Sequence, residues 1–239
     1  MPRIHIGTRT LQGKLERYAT KFDLLEVRSD ADAPLRTQTL RRWRKAVPPS
    51  FVFSVVLPPE VTQLRPGPRF DEMLASSLEA ARILESPVIV LATPPSVTPT
   101  ATHRKRLADL VARIPHDVVR IAWEPSGLWE PEDAMALARK LGLVLVRDAA
   151  REALPPGNVA YTRLRGLGEA SRLSATRAGQ VAEGLARFRE SFIVVETDLP
   201  ARTGKLLRER IEAESAAPQR VARTRTIGGP LRTEDEEQE

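Results

Sequence analysis

IHIGTRTLQGKLERYATKFDLLEVRS, residues 4–29, reads as strand, helix, strand. Residues 4–7 form a short apolar run. Leu11, Leu15, Tyr18, Ala19 and Phe22 then recur at helical spacing, which predicts a helix over 11–22, and residues 24–27 form a second strand. The same unit repeats downstream. A helix over 37–46 carries Leu40 and Trp43 on one face, a strand over 51–56 is closed by Pro58-Pro59, and a helix over 70–84 turns Met73, Leu74, Leu78, Ala81 and Ile83 to a core. Residues 88–91, between prolines, suit a strand covered on both faces. A helix over 101–114 and a strand over 118–123 follow. The next helix opens on Pro131, with Glu132 and Asp133 favoured in its first turn, and ends near Gly142. Strands over 143–146, 159–164 and 192–195 complete the set, with helices over 175–188, capped by Ser174, and 203–211.

Strands separated by helices pair in parallel through right-handed crossovers, and eight such strands predict an α/β fold, a (β/α)8 TIM-like barrel. Residues 148–156 hold no long helix, so the crossover between strands six and seven is degenerate. The barrel is expected over 1–212. The segment 213–239 has no apolar face and mixed charge blocks, with four arginines against six acids, and is expected to be a disordered charged tail.

Hydrophobic residues make up 41% of the 239, enough for a sizeable core. No apolar run reaches the roughly 18 residues of a membrane span, so no membrane partner is expected. Met1-Pro2-Arg3 leads straight into a strand without a signal-peptide apolar region. Cysteine is absent, which excludes disulfides and thiolate metal sites and fits a cytoplasmic location. The net charge is +6, with 31 arginines against 6 lysines. Such a basic chain attracts anions, nucleic acid included, although an arginine excess is also what a GC-rich genome gives without selection for binding.

Six fragments carry a further signal. Ile6-Gly7-Thr8 opens the first strand, and Tyr18-Ala19, Phe22 and Glu26-Val27 follow it. Thr39-Leu40-Arg41-Arg42-Trp43 lies on the second helix and Phe51-Val52-Phe53-Ser54-Val55 on the third strand. Pro94-Pro95-Ser96 follows strand four, and Tyr161-Thr162-Arg163-Leu164-Arg165-Gly166 ends strand seven. In this order and spacing, over about residues 3–212, they resemble the YecE-like family, also known as domain of unknown function seventy-two. The resemblance implies a TIM-barrel fold and an activity that is not established. The chain departs from the family at the strand ends. Arg9-Thr10-Leu11 replaces a Ser-Gly-Trp-like stretch, and Arg28-Ser29-Asp30-Ala31-Asp32 replaces a run with aromatics. Leu57 stands where a lysine is usual, and Glu196-Thr197 where paired asparagines are. In strand five either Glu124 is the family's glutamate shifted by one, or Trp123 occupies its place. The scaffold is thus retained and the mouth rewritten.

Functional groups of such barrels sit at the C-terminal strand ends. The mouth candidates are Arg9, Glu26, Arg28, Glu124, Arg147, Asp148, Arg163, Arg165, Glu196 and Asp198. Alternation puts Glu26 and Arg28 on one face of strand two, aimed inward, with Leu25 and Val27 toward the helices. They form either an ion pair closing the barrel or a ligand clamp, because a buried lone charge is costly. Tyr161, Arg163 and Arg165 share a face of strand seven, where barrels of this kind often hold phosphate and where a guanidinium fork suits phosphate or carboxylate. The alternative is pairing with Glu196, Asp198 or Glu124. His5, His103 and His116 have no metal-ligand spacing, so no metal is expected, and without nucleotide-binding or serine-elbow motifs no cofactor is expected either. Trp123 and Trp129 flank a loop that either stacks on a ligand or packs as core. Gly166-Leu167-Gly168 could offer backbone amides to an anion.

The leading expectation is a barrel whose mouth binds an anionic or phosphate-bearing small molecule. Arg163 and Arg165 would hold the anion, assisted by Arg28, Arg9 and Tyr161, with Glu26 or Glu124 as acid/base for hydrolysis or lyase-type chemistry. The alternatives are a non-catalytic scaffold whose mouth charges neutralise one another, and nucleic-acid binding through the basic surface and tail.

Overall fold

The computed structural model describes residues 2–28, 36–115, 119–166 and 172–216. Eight strands alternate with helices: β1 Arg3–Thr8, β2 Leu24–Arg28, β3 Val52–Val56, β4 Val88–Ala92, β5 Arg120–Glu124, β6 Val144–Leu145, β7 Val159–Arg165 and β8 Glu190–Glu196. They are joined by α1 Leu15–Tyr18, α2 Thr37–Ala46, α3 Pro59–Thr62, α4 Pro68–Leu84, α5 Ala101–Val111, α6 Pro131–Leu141 and α7 Ala175–Leu185, and α8 Pro200–Ala216 follows β8. The strand order is β6-β5-β4-β3-β2-β1-β8-β7, with every ladder parallel. Its two ends meet through a single parallel bridge, Arg147 to Thr162, and the Arg163 amide donates to the Arg147 carbonyl at 3.3 Å. The sheet is therefore a nearly closed (β/α)8 barrel. The weak seam coincides with the degenerate crossover read from the sequence: residues 147–158 carry no helix to press β6 against β7, and β6 keeps two residues where four are predicted.

Local chemistry sets most other boundaries. Thr100 and Ser174 cap α5 and α7, their side chains accepting from the His103 and Arg177 amides at 3.3 and 3.2 Å. Pro131 opens α6, and Gly142 closes it at φ 68°. The first helix departs from the sequence expectation. Instead of spanning 11–22 it is one turn, because Gly13 sits at φ 77° and Lys14 is extended, so residues 9–14 form a loop. The chain between β3 and the long α4 holds a short extra helix, α3, which the Pro58-Pro59 break does not predict. The last helix runs from Pro200 to Ala216 rather than over 203–211. Residues 29–32, His116, Val118, Leu167, Gly168 and the segment from 217 onward lie outside the described residues.

The strands' period of two splits the core into two layers. Outward residues such as Ile6, Leu25, Val27, Phe53, Val55 and Leu91 pack under the helices. Inward residues, among them Leu24, Val56, Val90, Ala122, Phe192 and Val194, fill the barrel. Trp123 and Trp129 meet edge-on at 5.0 Å in the outer layer, where their indole N–H groups donate to Thr93 Oγ1 at 3.1 Å and to the Val97 carbonyl at 2.7 Å. Both tryptophans are core, not ligand platforms. Beneath the aromatic interior, Glu190 closes the N-terminal face with Arg3, His5 and Arg120 at 3.4, 3.4 and 3.2 Å.

Tyr18 fastens the start of the barrel. Its hydroxyl donates to the Leu24 carbonyl at 2.7 Å and accepts from the Thr8 amide at 2.9 Å, so one side chain clips β1 to β2. The two strands approach closely where Gly7 pairs with Leu24. A Cβ at Gly7 would stand 1.8 Å from the Leu24 carbonyl oxygen, a backbone atom that has no rotamer by which to escape. Gly179, inside α7, has open space around it. Gly7→Ala is therefore expected to cost about 3 kcal/mol, the upper end for overpacking, in urea unfolding. Gly179→Ala should add up to about 1 kcal/mol by removing a helix-interior glycine. Equal effects from the two would contradict this account of the β1–β2 approach.

Candidate functional site

At the C-terminal mouth, β1, β2, β5, β7 and β8 turn charged side chains inward. Among the described residues the cluster is Arg9, Arg28, Arg163 and Arg165 with Glu26, Glu124 and Glu196. Arg163 is its centre. Its side chain is 3% exposed, and that of Glu26 is fully buried. Arg163 Nη2 and Nε donate to Glu26 Oε1 at 2.7 and 3.1 Å. Arg163 Nη1 donates to Glu124 Oε2, while Glu124 Oε1 accepts from Arg165 Nη2. Glu196 closes the ring, with Oε2 at 3.3 Å from Arg9 Nη1 and 3.6 Å from Arg165 Nε, and Oε1 at 3.8 Å from Arg163 Nε. Arg28 reaches Glu26 Oε2 only at 3.6 Å.

Tyr161 supports this ring from below. Its hydroxyl donates to Glu26 Oε1 at 2.7 Å and receives the proton of Ser54 Oγ at 3.0 Å. Ser54 was not among the sequence candidates. Its signal is its place in the ladder, directly beside Glu26 and on the inward face. Tyr161 also stacks on Phe192 at 6.0 Å, and Phe192 on His5 at 5.2 Å. His5 is thus a packed interior residue, at 3.4 Å from Glu190.

The environments differ in electrostatic consequence. Burial disfavours the Arg163 cation, but the charges of Glu26 and Glu124 overcome it and raise its pKa. Arg165 is raised against burial by its hydrogen bond with Glu124. Arg28 goes the other way: burial lowers it, Glu26 compensates in part, and the like charges of Arg9 and Arg163 lower it further. Burial, and then the Glu26 charge, push the Tyr161 phenol well above its ordinary range.

Three sequence candidates lie apart from the ring. Arg147 pairs with Glu152 at 2.9 Å. Asp148 is buried at the seam, where it accepts from the Ala150 and Arg165 amides at 3.0 and 3.3 Å, and burial raises its pKa. Asp198 is exposed in a separate cleft with Lys14, Arg17 and Arg202. No group of three or more His, Cys, Asp or Glu among the described residues could hold a metal ion. Among the same residues, no helix is long and apolar enough to cross a membrane.

A family model described as "Protein of unknown function DUF72" matches residues 6–221. The chain belongs to this family. A DUF72 protein from Enterococcus faecalis superposes with a TM-score of 0.67 at 14% identity, over 89% of this chain and 98% of that one. A DUF72 protein from Thermotoga maritima gives 0.65 at 15% identity, over 88% and 99%. An L-ribulose 3-epimerase shares the fold at a TM-score of 0.58 and 14% identity, over 90% and 95%. No curated protein matches. In this DUF72 chain Trp123 points outward and Glu124 inward, so Glu124 is the strand-five residue of the mouth. The family's proline pair packs on the following loop: Gly127 sits at φ 80°, where a Cβ would lie 2.9 Å from Pro95 Cα.

Two outcomes follow for the ring. Arg163→Met strands the buried Glu26 carboxylate and should cost about 3–5 kcal/mol, and adding Glu26→Gln should recover a large part of that loss. Additive losses in the double-mutant cycle would mean that the two side chains are not coupled. Both tyrosines should also resist titration. Burial pushes the Tyr18 phenol up from 10.0 to about 12, and Tyr161 rises as well. A pKa raised on folding gives stability that is complete below pH 10 and lost as pH climbs through about 12, worth roughly 2–3 kcal/mol at Tyr18. Tyrosinate absorbance should therefore appear together with unfolding. Its appearance near pH 10 with the fold intact would refute the buried hydrogen bonds assigned to these phenols.

Proposed function

We propose that the barrel mouth binds an anionic small molecule in the cytoplasm, through Arg28, Arg165 and Arg9. The observation that carries this reading is the imbalance of the ring. Among the described residues four guanidiniums face three carboxylates, and the surplus lies at the rim: Arg9, Arg28 and Arg165 are 42%, 39% and 46% exposed. Arg28 is the least neutralised, pressed by Arg9 and Arg163 and beyond hydrogen-bond reach of Glu26. An anion seated there relieves like-charge repulsion and gains charge-assisted hydrogen bonds. Arg163, engaged by Glu26 and Glu124, acts behind these residues as their anchor, and Tyr161 with it. If the ligand is transformed, the partly exposed Glu124 is the acid/base group; the buried Glu26 is structural.

The mutual pairing of Arg163, Glu26 and Glu124 supports a second reading, a barrel kept as a non-catalytic scaffold with a neutralised mouth. Thermal-shift titration at constant ionic strength separates the two. Probes are inorganic phosphate, sulfate and a short single-stranded DNA, on wild type, Arg28→Ala, Arg165→Ala and the surface control Arg42→Ala. Phosphate should raise Tm in wild type and control, and each mouth variant should bind it about tenfold more weakly. Equal phosphate shifts in all four proteins would place binding elsewhere. A shift by the DNA alone, lost when the titration is repeated at higher salt, would favour the basic surface instead.

A further inference from the structure

We propose that the mouth ligand is a polyol carrying one anionic group, and that its hydroxyls donate to Glu26 Oε2 and Glu196 Oε1. This rests on the anion-binding reading above and specifies its chemistry. An ionised carboxylate only accepts hydrogen bonds, and buried acceptors are normally satisfied. The ring satisfies its carboxylates unevenly. Glu26 Oε1 takes three donors, the Tyr161 hydroxyl and two Arg163 nitrogens, at 2.7, 3.1 and 2.7 Å. Glu26 Oε2 and Glu196 Oε1 are buried and take none among the described residues. Arg28 Nη2 at 3.6 Å from the first and Arg163 Nε at 3.8 Å from the second neutralise charge without making a hydrogen bond.

Both open oxygens belong to the ring from which the half-exposed arginines rise. Arg28 stands beside Glu26 Oε2, and Arg9 and Arg165 hold the other oxygen of Glu196. These are long, flexible side chains with heads already in solvent. An anion drawing them outward uncovers the carboxylate oxygens on its own path. The body of the ligand then meets these two acceptors, which receive hydroxyl protons and gain nothing from an alkyl chain. A site built to hydrogen-bond a hydroxyl discriminates strongly against the analogue lacking it, because its buried polar atoms stay unpaired.

Glycerol 3-phosphate and n-propyl phosphate differ only by two hydroxyls and make the test. Calorimetric titration of wild type should show glycerol 3-phosphate binding at least about tenfold tighter. In Glu196→Ala, which frees Arg9 and leaves Arg165 to Glu124 alone, propyl phosphate should bind as well as before or better, and the gap between the two should shrink. Equal binding of both esters by wild type overturns the polyol inference and leaves the anion site standing. Binding of neither overturns both. A gap unchanged in Glu196→Ala and in Glu26→Gln removes these two carboxylates from the recognition.

Discussion

The guanidinium of Arg163, held inside the barrel by Glu26 and Glu124, constrains everything above it. A cation 3% exposed cannot stand alone in an apolar interior, so carboxylates from β2 and β5 are committed to it. That commitment fixes which charges remain for solvent. Glu26 turns its second oxygen to Arg28, Glu124 spends its other oxygen on Arg165, and Glu196 is left to share Arg9 and Arg165. The rim is what remains after the centre is satisfied. Stability alone does not require this arrangement, since apolar residues of similar volume serve a barrel interior at least as well.

Room for the ring comes from the strands. Gly7 pairs with Val194 on one side and Leu24 on the other, and Val194 in turn pairs with Arg163. A residue without a side chain therefore lies two strands from the bulkiest cation of the interior. Below it the aromatic column of Tyr161, Phe192 and His5 supplies a floor, and the Tyr161 hydroxyl converts that floor into a donor for Glu26. The seam at β6 and β7 is the counterpart. Without a covering helix the closure there is one bridge, and Asp148 ties the loop to the Arg165 amide through its buried carboxylate.

The fold was legible because strand and helix periods differ and the chain keeps to them. The inward aim of Glu26 and Arg28 followed from alternation, and so did the shared face of Tyr161, Arg163 and Arg165. Even the missing crossover helix could be read from the run of residues at 148–156. The first helix was misread because Leu11 has the right spacing yet reaches the core from a loop, and spacing carries no record of Gly13 at φ 77°. The partners within the mouth were legible only as alternatives: Glu124 and Glu196 were named beside Asp198 for the strand-seven arginines, and Glu26 was not. Glu26, Glu124 and Glu196 come from three separate strands, and which of them meets Arg163 depends on the stagger of the barrel, which one-dimensional spacing does not encode. Ser54 was missed for the same reason.

Ion pairing at the mouth and ligand binding there are not rival explanations of the same residues. The pairing explanation accounts for Arg163, whose three nitrogens each donate to a carboxylate and whose surroundings raise its pKa. It does not account for Arg28, which burial and two neighbouring cations oppose and which, among the described residues, no carboxylate oxygen reaches at hydrogen-bond distance. A ring optimised only for neutrality would have no such residue. Arg28 stands at the lip beside Glu26 Oε2, a buried acceptor that has no hydrogen-bond partner among the described residues. The surplus cations stand at the ends of β1, β2 and β7, with Glu196 of β8 between two of them.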